Sequence, residues 1–139
     1  MSAYGSVEQS LLDLGASIAA ATGVGMAYPN ARFTPPSQMD RSAAWMRLSI
    51  QLTDRGDLHA LTRQTIAGTF IVSVFVPIDT GSARLAELTD AVVALIESGD
   101  AGACVFRRTY TQDGSQLNAA AGWLQRNVLS SFTADEVVA

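Results

Sequence analysis

The sequence contains no lysine, a single cysteine and a single histidine, and only 7% of its residues are aromatic. Cys104 alone cannot form an internal disulfide, and with His59 it leaves few soft or imidazole ligands, so no metal site is expected. The largely apolar run 70–76 falls far short of the roughly 20 residues that span a bilayer. No positive side chain precedes Arg32, so neither a secretory leader nor a membrane span is expected. The chain therefore reads as soluble and made in a cytoplasm. The basic residues are nine arginines, and the formal net charge is -4. That balance argues against a protein whose main work is to neutralise phosphates. Arginine serves bidentate and stacked contacts better than lysine, although a GC-rich genome is the simpler cause of its exclusive use.

At 139 residues the chain is most simply one domain, 1–139. Such a domain buries about two-thirds of the surface its unfolded chain exposes, with no need of a staple. The dominant stretch is residues 65–81. Phe70, Val72, Val74 and Val76 alternate with Ile71, Ser73 and Phe75, so both faces of a central strand are apolar and need cover. Pro77 and the Asp79-Thr80-Gly81 turn should end it.

Ser6-Val7-Glu8-Gln9 has the form of a capping box and predicts a helix start, with Val7, Leu11, Leu14, Ile18 and Ala21 on one face and Gly23 and Gly25 at its end. Residues 28–36 read as a connector with at most one edge strand, stiffened by Pro35-Pro36. From Ala44 to Leu52 alternation predicts a half-buried strand with Met46, Leu48 and Ile50 on one side and Trp45, Arg47 and Ser49 on the other. The stretch 53–61 reads as a hairpin loop, and Gly68 as a bulge or bend in the returning strand. Ser82 can cap a second helix carrying the stripe Leu85, Leu88, Val92, Leu95 and Ile96, closed by Gly99 and Gly102. Residues 105–110 and 122–132 then form a second antiparallel pair around a turn at 112–115, and 132–139 reads as a flexible tail. The expected fold is α+β: a single mixed, mainly antiparallel sheet of four to five strands with two helices packed on one face. Nothing remains to cover the other face, so Ile71 and Phe75 are expected to meet a second copy.

Chemical signatures are sparse. A nucleophilic site would need His59 as its base, but no elbow or triad frame surrounds it. Asp54 and Asp57 flank Gly56 with a superficial likeness to a calcium loop, yet the remaining oxygen ligands are missing. Gly23-Val24-Gly25 and Gly81-Ser82 do not complete a phosphate-binding loop. Arg107-Arg108 on a strand would face opposite sides, which suits an edge better than a phosphate clamp. No enzyme activity, cofactor or catalytic residue is expected.

Ala31-Arg32-Phe33-Thr34-Pro35-Pro36, then Trp45-Met46-Arg47-Leu48-Ser49-Ile50, then residues 68–77 with Thr80-Gly81 before a helix, and finally 118–132 with Gly122-Trp123, follow one another in an order that resembles the tail terminator, or tail completion, proteins of long-tailed bacteriophages. The resemblance runs from Phe33 to Phe132. It implies a non-enzymatic virion protein that forms a ring, usually a hexamer, on the head-proximal end of the tail tube. The ring would stop tube polymerisation and offer a joining surface to head-tail connector or neck proteins, after assembly in the host cytoplasm. Genomic DNA would cross its lumen without specific binding. By this resemblance Asp54, Arg55 and Asp57 are expected at ring, tube or lumen contacts, beside Ile71 and Phe75. The polar Gln125, Arg126 and Asn127 depart from what the resemblance implies for the last strand. Two other readings remain: another ring-forming tail or neck protein, such as a tube subunit or head-closure protein, and a small-molecule-binding domain or enzyme built around His59 or Arg107.

Overall fold

The computed structural model describes residues 3–36, 43–54, 58–60, 63–78, 83–99, 101–102, 104–113 and 122–137. Helix α1 (Ala3–Thr22) is followed by strands β1 (Gly25–Ala27), β2 (Trp45–Asp54), β3 (Leu58–Ala60) and β4 (Arg63–Pro77). Helix α2 (Ala83–Ser98) precedes β5 (Cys104–Asp113) and β6 (Trp123–Val137). The sheet order is β1-β2-β4-β6-β5, with β3 paired to β4 off this path. Among the described residues the β1·β2 pair is parallel and the other strand pairs are antiparallel. The fold is thus the expected α+β class with a mixed, mostly antiparallel open sheet.

Both helices lie on one face because their apolar stripes and one parity of the strands are matched. Val7, Leu11, Leu14 and Ile18 of α1 and Leu85, Leu88, Val92 and Ile96 of α2 are buried in one core with Met46, Leu48, Phe70, Val72, Val74, Val76, Val128 and Phe132. Burying each large aliphatic or Phe side chain contributes about 1.5–3 kcal/mol relative to leaving it in water. Cys104 joins this core. Thr89, buried within α2, satisfies its hydroxyl by donating to the Leu85 carbonyl at 2.6 Å.

Helix α1 does not start at the capping box. Ser6 lies inside the helix, its carbonyl accepts from Ser10 Oγ at 3.0 Å, and Gln9 turns away to donate to Asp13 at 2.9 Å. Its C-terminus follows the expected glycine: Gly23 adopts φ 69° and its amide donates to the Ala19 carbonyl at 2.9 Å. Ser82 lies outside the described residues.

The β2·β4 register shifts between Leu52 and Asp54, opposite Gly68 and Ala67, so the irregularity expected near Gly68 is carried by the facing strand. Gly68 is needed there for space. A Cβ on it would overlap the Gln51 carbonyl oxygen and stand 2.9 Å from Phe132 Cζ. Gly68→Ala should therefore destabilise the fold by about 1–3 kcal/mol, read as a lower urea midpoint at unchanged slope.

Two sequence expectations are corrected. The stretch 53–61 is not all loop, because β3 pairs with the start of β4. The tail does not begin at 132: β6 continues to Val137, with Thr133 to Val137 opposite Ala67 to Arg63. The cause is the length of β4, whose first turns of ladder would otherwise hold unpaired backbone groups on that side.

Candidate functional site

The face of the sheet opposite the helices is the candidate site, and the registers define it row by row. Trp45, Phe75 and Gln125 form the first row; Arg47, Ser73, Asn127 and Gln112 the second. Ser49, Ile71, Leu129 and Tyr110 form the third, and Gln51, Thr69, Ser131 and Arg108 the fourth. With a side-chain period of two, these positions share one side of the pleat.

The first row is covered from within the chain. Trp45 stacks on Phe75 with centroids 4.0 Å apart and planes at 9°, and Trp123 meets Trp45 edge-on at 6.0 Å. Phe33, brought over by the connector after β1, packs on Trp45 at 5.5 Å. The Arg47 guanidinium carbon lies 5.3 Å from the Phe75 ring centroid. Phe75 is consequently 0% exposed, with no surface left for a neighbour to bury. Its expected place on an uncovered face is corrected: the face is right, and Trp45 and Arg47 already cover it.

Two buried polar atoms in this row, Trp45 Nε1 and Gln125 Oε1, have no hydrogen-bond partner among the described residues. Each forgoes roughly 1–3 kcal/mol of hydration. The Gln125 amide nitrogen does donate to Asn127 Oδ1, at 2.8 Å. The polar run 125–127 that departed from the family pattern thus sits on a strand paired on both sides. Gln125 and Asn127 face the open side, and Arg126 faces the helical side with Nε 3.0 Å from Asp113 Oδ1.

The third row is the open part. Ile71 and Leu129 are half-buried and Tyr110 is 39% exposed, with Val105 further along β5 at 53%. Sequence reasoning identified Ile71 but missed Leu129 and Tyr110, which reach its side only once β6 is placed between β4 and β5. Strand alternation in 105–110 and 123–132 was the available signal, but it does not give pairing order. Arg108 lies over Tyr110, its guanidinium carbon 5.0 Å from the ring centroid, and Arg107 donates through Nε to Thr133 Oγ1 at 3.2 Å. The register shift between Phe106 and Arg108 places Arg107 at an irregularity, so strict alternation of the two arginines does not hold.

Of the other expected site residues, Asp54 ends β2, while Arg55 and Asp57 lie outside the described residues. His59 is on β3, remote in register from Arg107 on β5. Among the described residues no three His, Cys, Asp or Glu side chains come together as a metal site would require, and no helix is long and apolar enough to cross a membrane. A groove of about 520 Å³ lies between the connector and β2, lined among others by Tyr28, Phe33, Trp45 and Ser49. Among the described residues its titratable lining groups are Arg47 and Tyr28, with no carboxylate or histidine beside them.

Among curated proteins none matches the chain. One solved structure, whose title carries no description of function, is 21% identical with a TM-score of 0.47, covering 82% of this chain and 79% of that one. Another, from the virion of a native gene transfer agent particle, is 18% identical with a TM-score of 0.48, covering 98% and 95%. The model of the phage tail terminator protein family matches residues 7–126, well over half of the sequence. The chain belongs to the phage tail terminator protein family and is a structural protein of a phage tail.

Proposed function

We propose that the protein forms a ring, a hexamer in the simplest case, that caps the head-proximal end of the tail tube, stops its polymerisation and presents the joining surface for neck proteins. The observation that carries this reading is the sheet face: one side is sealed by two helices, while the other leaves Ile71, Leu129 and Tyr110 partly or largely open across three adjacent strands. An apolar row of that kind, rimmed by polar residues, marks an interface. Closure into a ring needs each copy to offer two different matching surfaces. Asp54, Arg55 and Asp57, at and beyond the end of β2, are assigned to contacts with the tube, the neighbour or the lumen. DNA would pass through the lumen on ejection without specific binding, and the protein would be in the host cytoplasm during assembly.

The test is tube growth. Tail tube subunits polymerising with and without this protein should give tubes that stop lengthening and carry a ring at one end, seen by electron microscopy. Unchanged tube length would reject capping, and growth of this protein alone into tubes would make it a tube subunit. Ile71→Ser combined with Tyr110→Ser should lower monomer stability by about 1–3 kcal/mol and leave the chain folded, while reducing capping at a given concentration.

A further inference from the structure

Charge is distributed unevenly between the helices and the four central rows of the open sheet face. The exposed carboxylates of the helical layer are Glu8 and Asp13 on α1 and Glu87, Asp90 and Glu97 on α2. Its lone described arginine, Arg84, is already beside Glu87 at 3.4 Å. The four central rows of the open sheet face differ: they contain no carboxylate, the next ones on β2 and β6 being Asp54 opposite Ala67 and Asp135 opposite Thr65, and they carry Arg47 and Arg108, neither in an ion pair with a described residue. Each guanidinium instead lies over an aromatic ring, and both residues are exposed.

Shape follows the same division. The outer surface of the helices is low, with Ala16, Ala20 and Ala21 exposed on α1 and Ala94 on α2. It can lie close against a pleated sheet. The apolar third row of the sheet sits between the row of Arg47 and the row of Arg108, so an acidic, alanine-rich surface would meet apolar contact in the centre and cations on either side.

We infer that the open sheet face of one copy docks on the acidic helical layer of the next. This deepens the ring reading and rests on it. The two surfaces are opposite sides of the same subunit, so the contact is heterologous: it repeats head to tail and closes when the rotation between copies divides a full turn. Complementary potential also rejects the face-to-face alternative, because two arginine-bearing sheets or two acidic helical layers would repel.

Charge exchange tests this on the full chain. One variant carries Arg47→Glu and Arg108→Glu; a second carries Glu87→Arg, Asp90→Arg and Glu97→Arg. All five positions are exposed, and thermal melts verify that each variant folds; Arg47→Gln with Arg108→Gln provides a milder pair. Native mass spectrometry across a concentration series should show the wild-type oligomer, and each charge-reversed variant alone should need at least about tenfold more protein to assemble. An equimolar mixture should recover the oligomer with the two variants in equal number, since each reversed face then meets an opposite charge. Raising salt should weaken the wild-type contact.

Several results would overturn the inference. If neither variant alters a wild-type ring, the ring reading stands and this pairing of surfaces falls. If only the sheet-face variant loses assembly and the mixture yields only dimers, the contact is face to face. If the sheet-face variant still assembles but loses wild-type binding to a DNA duplex, the arginines serve a polyanion. A wild-type chain that stays monomeric throughout removes this contact and the ring together.

Discussion

Trp45→Ala is expected to cost about 3–5 kcal/mol of stability, because a large aromatic is removed from a site that cannot collapse easily. The ring is 6% exposed, stacked on Phe75 and braced by Trp123 and Phe33. Its loss uncovers Phe75 on the face proposed for assembly, so partial unfolding and non-specific association should accompany the lower denaturation midpoint. Trp45→Phe separates the contributions. It keeps an aromatic over Phe75 and removes the buried indole nitrogen that lacks a partner, so its cost should stay under about 1.5 kcal/mol. Equal losses for the two variants, measured by urea unfolding, would show that the indole nitrogen is satisfied in solution.

Phe132→Ala should be comparably severe, again about 3–5 kcal/mol, through the other side of the sheet. Phe132 is 1% exposed, pairs with Gly68 and Phe106 across its two neighbouring strands, and meets the Phe106 ring edge-on at 6.4 Å. Its cavity would open under the helices and leave the Ile71, Leu129 and Tyr110 row in place. The two alanine variants should therefore differ in a second readout. At a temperature where both are folded, Phe132→Ala should retain an oligomer of fixed stoichiometry, whereas Trp45→Ala should give only non-specific association. A Phe132→Ala chain that is folded yet fails to associate would show that the packing under the helices, and not the open row by itself, controls the contact.

The parts of the fold that depend on local pattern were legible. Alternation around Phe70 and Met46 gave the buried parity of β4 and β2, and the stripe from Leu85 to Ile96 gave the packed face of α2. The parts that depend on partners were not. Phe75 read as uncovered because alternation gives a face but not a register, and only the Trp45 to Phe75 alignment brings the second ring over the first. Thr133 to Val137 read as a tail because its composition is polar and acidic, yet the early residues of β4 hold it by backbone pairing, to which composition is nearly blind. Ser6 read as a cap because the motif is local, while the helix continues upstream of it to Ala3. The face proposed for assembly was half legible: Ile71 lies on it, but Leu129, Tyr110 and Arg108 join only through the order β4-β6-β5.

Native mass spectrometry of the full chain over a concentration series, alone and with tail tubes, tests the account most directly. A closed oligomer of fixed stoichiometry, present alone or formed on the tubes, is the predicted result. Monomer at every concentration, with tubes as well as without them, would contradict it.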